Sequence, residues 1–350
     1  MVRLCRFILA PVALVLAVTL AAWAGAGDVS LKRGAATAGT TRTGPGATRP
    51  AGPDCARTSV GFTPLNELGK GRYKGYQGGL YPGGSNTPPK RYLRAGLAAA
   101  ARVRPLSGNG MPSRSGRIVV LSVGMSIAYL DFRSFLRLAA TQPVRAGQYL
   151  VAGTLTARPR VELVNGATPT WDAPKIINNE ASYLGILHTD LAAANVTSDQ
   201  VQAVWLYDAI GNENQPFPAD SQALERDLNT IIAMLRGHFP NLRLVYVSSR
   251  EYAGYAVTTT NPEPYAYESG FAVKWTVAGG IAHRKSRPWI AWGPYTWADG
   301  TQPDAQSGGL TWSCSDFEPD GTHPLAQGAQ KVGDMLQHFF TTTQTARTWF

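Results

Sequence analysis

The sequence predicts an α/β fold: a three-layer α/β/α sandwich, flavodoxin-like, with about five parallel strands in its central sheet. Five short apolar runs rich in β-branched residues each end at a glycine or polar turn, as buried strands do. Helical patterns lie between most of them, and this alternation indicates parallel pairing through crossover connections. The predicted strands are residues 116–124, 159–167, 201–211, 241–249 and 288–295.

Helices are predicted where apolar residues recur every three or four positions. The clearest case is residues 221–239, where Leu224, Leu228, Ile231 and Leu235 share one face. The predicted helices are residues 91–105, 126–140, 221–239, 268–284 and 324–340.

The first residues are typical of a secretory signal. Arg3 and Arg6 precede an apolar run at residues 7–20, and small residues follow it. This run is shorter than the ~20 apolar residues that span a bilayer, so we expect cleavage rather than an uncleaved anchor. The predicted location is therefore secreted, extracellular or periplasmic, with no membrane span after signal removal.

Composition divides the remaining chain. Residues 27–57 contain almost no large apolar side chains and predict a flexible linker of Gly, Ala, Thr and Pro. Residues 58–115 are rich in Gly, Pro and Tyr, which predicts an irregular extension that packs on the main domain. The predicted segments are a signal peptide at 1–26, the linker at 27–57, the N-terminal extension at 58–115 and the main domain at 116–343.

After signal removal two cysteines remain, Cys55 and Cys314. An even pair in an exported protein favours a disulfide, with two free thiols as the alternative. No Cys/His cluster has the spacing of a zinc site, and we predict no metal.

The formal net charge of the chain is +10, and several of the basic residues lie in the signal and linker. No Lys/Arg run with interleaved aromatic residues occurs, so we predict no nucleic-acid partner. Compared with nucleic-acid binding, affinity for anionic polymers at the cell surface is the less specific interpretation of this positive charge.

In open α/β sheets the site lies at the carboxyl ends of the strands, so the residues that follow each strand are its candidates. They supply a hydroxyl, backbone N–H groups on glycine turns, carboxamides, a carboxylate and an imidazole, which are the parts that acyl transfer requires. In chain order they are Ser126, the turn at 165–167, Gly211, Asn212, Asn214, Asp320 and His323.

Each group has a chemical role in such a reaction. A serine hydroxyl becomes nucleophilic when a histidine takes its proton, and a carboxylate orients that histidine. The tetrahedral oxyanion needs preorganised donors, for which the Ser126 N–H at a helix start, the Gly166 N–H and an asparagine amide are candidates. Asp208 and Asp316 are alternatives to Asp320 as the orienting carboxylate.

Three sequence blocks resemble those of SGNH hydrolases, the GDSL lipase/esterase superfamily. "VLSVGMSIAYL" is similar to the first block, "VNGA" to the glycine block and "DGTHP" to the last block. The resemblance covers roughly residues 117–340. It implies Ser126 as nucleophile, His323 as base, Asp320 as its partner and Gly166 as an oxyanion donor.

Two departures from the superfamily pattern stand out. Gly-Met-Ser replaces the usual Gly-Asp-Ser, so the aspartate beside the nucleophile is missing. The Gly-x-Asn-Asp block is also absent, and "IGNEN" offers Asn212 and Asn214 as the third donor, with Asn212 preferred. An absent third donor would cost about 10²-fold or more in rate.

Aromatic residues crowd the loop before the Asp-His pair. Trp297 and Trp312 are candidates for stacking on a sugar substrate, with buried packing as the alternative.

The resemblance implies that the substrate is an ester, and the predicted export and the loop aromatics suggest a carbohydrate. We therefore predict a secreted serine esterase that hydrolyses O-acyl esters, acetyl esters among them, on a carbohydrate or another small molecule. The altered blocks leave two alternatives: a non-catalytic carbohydrate- or surface-binding protein on the same fold, and an acyltransferase with the same triad. No cofactor is predicted, and the sequence indicates no oligomeric state.

Overall fold

The computed structural model describes residues 52–141, 149–150, 160–283 and 288–350. The predicted signal peptide and most of the predicted linker lie outside these ranges. The strands are β1 Arg72–Tyr73, β2 Tyr76–Gln77, β3 Ile118–Gly124, β4 Tyr149–Leu150, β5 Arg160–Asn165, β6 Val201–Tyr207, β7 Leu244–Ser248 and β8 Trp289–Trp292. The helices are α1 Leu65–Leu68, α2 Lys90–Ala100, α3 Ser126–Thr141, α4 Ala173–Asn178, α5 Glu180–Ala193, α6 Ala219–His238, α7 Tyr265–Ala282 and α8 Ala326–Thr342.

The central sheet has the order β4-β5-β3-β6-β7-β8, and every neighbouring pair is parallel. Strands β3, β6, β7 and β8 are buried along their whole length, as expected for a parallel sheet covered on both faces. The predicted three-layer α/β/α fold is confirmed. Five of the strands are the predicted ones, and β4 adds a two-residue strand at the edge.

Strand β3 lies inside the sheet between β5 and β6. The chain leaves β3 toward β4 and β5 on one side, then crosses back to β6 on the other. This reversal of strand order makes the carboxyl end of β3 a topological switch point, where open α/β sheets bind their ligands.

Helix packing builds the outer layers. Helix α3 packs against α8, and α6 packs against α7 and α4. Between α3 and α8, the rings of Phe135 and Phe340 stack with their centroids 5.7 Å apart. Phe350 stacks on Phe340 at 4.9 Å and is 4% exposed. The core therefore continues beyond residue 343, where the predicted main domain stops.

Helices α4 and α5 were not predicted from the sequence. Helix α4 begins because the Asp172 side chain accepts a hydrogen bond from the Lys175 N–H, a typical N-cap, and proline occupies its first turn. Tyr183, Leu184 and Leu187 of α5 are buried. The apolar residues of α5 lie around most of the helix instead of on one face. Its sequence therefore lacks the pattern of one apolar and one polar face that reveals an amphipathic helix.

The extension at residues 58–115 is largely irregular, apart from α1, α2 and the β1–β2 hairpin. Asp299 anchors its beginning: the carboxylate accepts hydrogen bonds from the Ser59 hydroxyl and from the N–H groups of Val60 and Gly61. Burial and several directed hydrogen bonds therefore hold this segment on the sheet domain. The four segment boundaries stay a prediction.

The predicted disulfide between Cys55 and Cys314 is present, with the two Cα atoms 5.2 Å apart. It joins residues separated by 259 positions. Nearby, the Tyr252 hydroxyl donates to the Arg57 carbonyl, and the Thr301 N–H donates to the Thr58 carbonyl. The disulfide therefore fastens the beginning of the described chain to the loop that precedes α8.

We predict that Cys55→Ser lowers the free energy of unfolding by about 2–4 kcal/mol, because the cross-link restricts a long loop of the unfolded chain. Denaturant unfolding of the parent and variant under non-reducing conditions measures this. Cys314→Ser should cost the same, and the double variant should cost no more than either single one, since all three lose one bond. Additive losses, or two freely alkylated thiols in the parent, would contradict the prediction.

Candidate active site

The nucleophile candidate lies at the switch point. Gly124 ends β3 with φ +145°, and a Cβ there would lie 1.9 Å from the Tyr207 carbonyl oxygen of β6. Only glycine permits this close approach. Met125 is buried, its carbonyl accepts from the Tyr129 N–H, and α3 begins at Ser126. The turn therefore places the Ser126 hydroxyl and N–H at the positive end of a helix dipole.

The base candidate lies on a turn before α8. Phe317 and Pro324 form an antiparallel bridge, and the Glu318 N–H donates to the His323 carbonyl, so residues 317–324 form a small hairpin. Gly321 has φ +65°, and a Cβ there would lie 1.9 Å from the Tyr255 carbonyl oxygen. The hairpin is therefore docked tightly against the 252–257 segment.

The structure brings Ser126, His323 and Asp320 together. The Ser126 Oγ lies 2.8 Å from His323 Nε2, and His323 Nδ1 lies 2.5 Å from Asp320 Oδ2. The other carboxylate oxygen of Asp320 accepts from the N–H groups of His323 and Thr322. The side chains of His323 and Asp320 are 34% and 31% exposed, so water and a ligand can reach them.

The protonation pattern follows from Asp320. Burial raises the pKa of this carboxyl, but the hydrogen bonds from the His323 ring and from two backbone N–H groups outweigh it and lower the pKa below its ordinary value. An ionised carboxylate only accepts, so His323 Nδ1 carries the proton. In the neutral ring Nε2 then accepts from the Ser126 hydroxyl, which is the tautomer a general base needs.

The alternative carboxylates make other contacts. Asp316 accepts from Ser313 and pairs with Lys331 at 2.6 Å. Asp208 is buried after β6 and accepts from its neighbour's N–H. Of the three candidates, Asp320 is the one that contacts His323.

The two tryptophan candidates do not reach a ligand. Trp297 and Trp312 are both 0% exposed. The Trp297 indole N–H donates to Glu263, and that of Trp312 donates to the Thr296 carbonyl. The expectation that they stack on a substrate is therefore not supported by the structure. Their loop has many glycines, but it folds over the aromatic core instead of opening toward solvent.

Gly166 lies buried after β5, where a Cβ would approach Leu187 to 2.5 Å and Leu121 to 2.9 Å. Close packing alone therefore requires a glycine here. The adjacent Asn165 accepts from the Ser122 hydroxyl and donates to the Tyr129 carbonyl of α3. This loop is thus tied to α3, and the role of Gly166 as an oxyanion donor stays a prediction.

The loop after β6 presents its two asparagines differently. Glu213 points inward and accepts from Asn261, whereas Asn212 and Asn214 are exposed. Asn214 accepts from Gln215, and the Asn212 side chain forms no hydrogen bond within the described part of the chain. The side-chain NH₂ groups of both asparagines donate no hydrogen bond within the described residues, so Asn212, the preferred third donor, and Asn214 both stay predictions.

Sequence reasoning missed Tyr183, which connects the two turns that flank Ser126. Its hydroxyl is buried, accepts from the Gly124 N–H at 3.2 Å and donates to the Gly166 carbonyl at 3.0 Å. Burial raises the pKa of Tyr183, so the hydroxyl keeps its proton and can donate. No sequence signal revealed this residue, because α5 itself was not predicted.

A buried charged cluster lies among residues of α3 and the end of β7. Asp131, Arg250 and Glu251 are each 0% exposed, and their charged groups form no hydrogen bonds within the described residues. Burial raises the pKa values of Asp131 and Glu251, and the Arg250 charge lowers them in part. No group of acidic, His or Cys side chains in the described ranges could hold a metal ion.

Comparisons with known proteins give likeness at the level of structure. No family model matches the sequence, and no curated protein matches it. A Streptococcus pneumonia protein named for platelet activating factor is 15% identical over 71% of this chain and 94% of its own, with a TM-score of 0.35. A salicylyl-acyltransferase of a tetracycline biosynthetic pathway is 14% identical over 68% and 58%, with a TM-score of 0.36.

A third structure, a Bacteroides fragilis protein named as an acylhydrolase, is 10% identical over 74% of this chain and 100% of its own, with a TM-score of 0.33. Because all three TM-scores lie below 0.5, these likenesses carry no argument about the activity of this chain.

We predict that Tyr183→Phe lowers kcat by about 3- to 30-fold with little change in KM, because two buried backbone groups beside Ser126 lose their partner. The same loss should cost about 1–3 kcal/mol of unfolding free energy. Ester turnover and denaturant unfolding measure the two effects. Tyr129→Phe, at a half-buried tyrosine of α3 whose hydroxyl forms no hydrogen bond within the described residues, is the matched control. An unchanged kcat in Tyr183→Phe would contradict the prediction.

We predict that Glu251→Gln flattens the dependence of stability on pH. Burial raises the folded-state pKa of Glu251, so the folded state binds the extra proton and stability falls as pH rises from about 4.3, the ordinary value, to the raised value. The amide cannot ionise and removes this loss. Unfolding free energies measured between pH 5 and 8 would contradict the account if the parent and variant kept parallel profiles.

Proposed function

We propose that this chain is a serine hydrolase that cleaves carboxylic esters through Ser126, His323 and Asp320. The observation that carries the proposal is the 2.8 Å contact between Ser126 Oγ and His323 Nε2, with Asp320 on the far side of the ring. A hydroxyl in contact with a correctly oriented imidazole is the arrangement that activates a serine.

The proposed reaction has two halves. Ser126 Oγ attacks the ester carbonyl carbon while His323 Nε2 takes the hydroxyl proton, and the carbonyl oxygen becomes an oxyanion. The carbon–alkoxy bond then breaks, and His323 returns the proton to the leaving alcohol. Water attacks the acyl-serine with His323 as base, and the carboxylic acid leaves.

Stabilisation of the oxyanion is assigned to donors around Ser126. Its own N–H lies at the start of α3, where the helix dipole adds positive potential. The Gly166 N–H and the Asn212 amide complete the proposed set. Met125 stands where the superfamily has an aspartate. Its side chain is buried, and its carbonyl accepts from the Tyr129 N–H at the start of α3, so we expect these donors to keep their positions.

The substrates we propose are O-acyl esters, acetyl esters among them, on a carbohydrate or another extracellular molecule. Partial exposure of His323 and Asp320 supports a site that accepts an ester displayed on a larger molecule. It also favours hydrolysis over acyl transfer, since bulk water reaches the site. Export is supported by the signal-like first residues and the disulfide. No helix within the described residues is long and apolar enough to cross a membrane.

We predict that Ser126→Ala lowers kcat/KM for a small soluble ester by at least about 10³-fold with the fold intact, because the covalent route is lost. His323→Ala should be similarly severe. Asp320→Asn should retain more activity, since backbone contacts still hold the hairpin. Steady-state kinetics on 4-nitrophenyl acetate measures all three, with circular dichroism as the check on folding.

Reaction with a fluorophosphonate separates an enzyme from a non-catalytic binding protein. We expect the reagent to label the parent protein at Ser126. It should label the His323→Ala variant only slowly, because it reacts with activated serines and this variant lacks the base that would activate Ser126. Ser115→Ala, at an exposed serine before β3, is a control that keeps the labelled hydroxyl. Activity of Ser126→Ala close to that of the parent would refute the proposed function.

A further inference from the structure

Charge is divided unevenly along the chain. Residues 68–130 contain ten lysines and arginines and no aspartate or glutamate. Residues 131–350, which include the proposed triad, contain 16 basic and 20 acidic residues. The positive charge of the described chain is therefore concentrated in the N-terminal extension and the residues that lead into β3.

The basic residues of the extension from Lys90 onward lie at one edge of the sheet, whereas Lys74 of the β1–β2 hairpin pairs with Glu268 at the start of α7. Tyr92 of α2 donates its hydroxyl proton to the Ile290 carbonyl in β8, and a Cβ at Gly96 would contact the Trp289 ring. Further along, Arg104 exchanges backbone hydrogen bonds with the Gln202 side chain at the beginning of β6. The segment therefore runs across the amino ends of the strands.

This edge is opposite the proposed active site, which lies at the carboxyl ends. Strands of five to seven residues span roughly 16–23 Å at about 3.3 Å per residue, and that is the depth of sheet between the two edges. A large ligand bound at the amino edge would leave Ser126 open.

Six basic side chains at this edge are exposed. Helix α2 buries Tyr92, Gly96 and Ala100 and turns its opposite face to solvent. None of the six forms an ion pair within the described residues, whereas Arg117 is neutralised by Glu162. We call them the basic surface: Lys90, Arg91, Arg94, Arg102, Arg104 and Arg114.

We propose that the basic surface binds a linear acidic polysaccharide. Lys90, Arg91 and Arg94 lie on α2, whose 11 residues span about 16 Å at 1.5 Å per residue, and Arg102 follows just beyond its end. Regularly spaced anionic groups can therefore meet several of these side chains at once. Arginine predominates, and its planar guanidinium group binds carboxylate or sulfate oxygens in pairs.

The other exposed residues of this helix face decide between polymer classes. They are alanines and Leu97, which is 37% exposed. Without an aromatic side chain the face has no platform on which unpaired bases would stack. Without a wide apolar stripe it does not enter a bilayer interface as amphipathic membrane helices do. Charge complementarity to a hydrophilic polyanion is what remains.

The test measures binding of the full chain to heparin and to polygalacturonate as a function of salt. In the triple variant Arg91→Gln, Arg94→Gln and Arg102→Gln, we expect the apparent Kd for both polymers to rise at least tenfold at about 0.1 M salt. The slope of log affinity against log salt should become less steep by about two, because binding of the variant releases fewer counterions than binding of the parent.

A matched triple variant controls for net charge. Arg137→Gln, Arg226→Gln and Arg236→Gln remove three exposed arginines from α3 and α6, and we expect less than a threefold change. Both triples should hydrolyse a small ester as the parent does, and the binding readout stands whether or not the chain is an esterase. Equal loss in both triples, no binding by the parent, or tighter binding to duplex DNA or anionic vesicles would overturn the proposal.

Discussion

The close approach of β3 to β6 at Gly124 is the constraint on which the site depends. The missing side chain lets the chain turn above the Tyr207 carbonyl and begin α3 within two residues. Any larger residue at 124 would push the turn away from β6 by more than an ångström. The distance from Ser126 to His323 would then lengthen, and a hydrogen bond of 2.8 Å tolerates little of that.

The other half of the site is held from a different part of the chain, and it arrives by a different route. The 317–324 hairpin rests on the 252–257 segment through Gly321, and the Cys55–Cys314 disulfide fastens the loop before it. Asp316 and Lys331 join that loop to α8. The orientation of His323 therefore depends on tertiary contacts between distant segments of the chain. A site of three side chains needs a large surrounding core to provide those contacts.

Sequence reasoning predicted the features that local chemistry determines. The five strands follow from apolar runs, and the Ser126, Asp320 and His323 positions follow from what stands after those strands. Neither α4 nor α5 was predicted. Helix α5 is apolar around most of its surface and so shows no amphipathic pattern, and Tyr183, which lies on α5, was missed with it. Trp297 and Trp312 were offered as ligand contacts because a glycine-rich loop resembles an open one, whereas aromatic packing and indole hydrogen bonds close it. Burial of a loop depends on the whole fold and cannot be read from its composition.

We propose that Ser126 is an activated nucleophile, and capture of an acyl group on Ser126 tests this proposal most directly. The parent enzyme is mixed with excess 4-nitrophenyl acetate, quenched in acid within milliseconds to seconds, digested and mapped by mass spectrometry. We expect a transient acetyl group on the peptide that carries Ser126, with a rapid burst of 4-nitrophenol of the same amplitude. In His323→Ala the acetyl group should no longer accumulate at neutral pH. Turnover of the ester with no acetylation of Ser126, or acetylation spread over surface lysines at the same rate in both proteins, would contradict it.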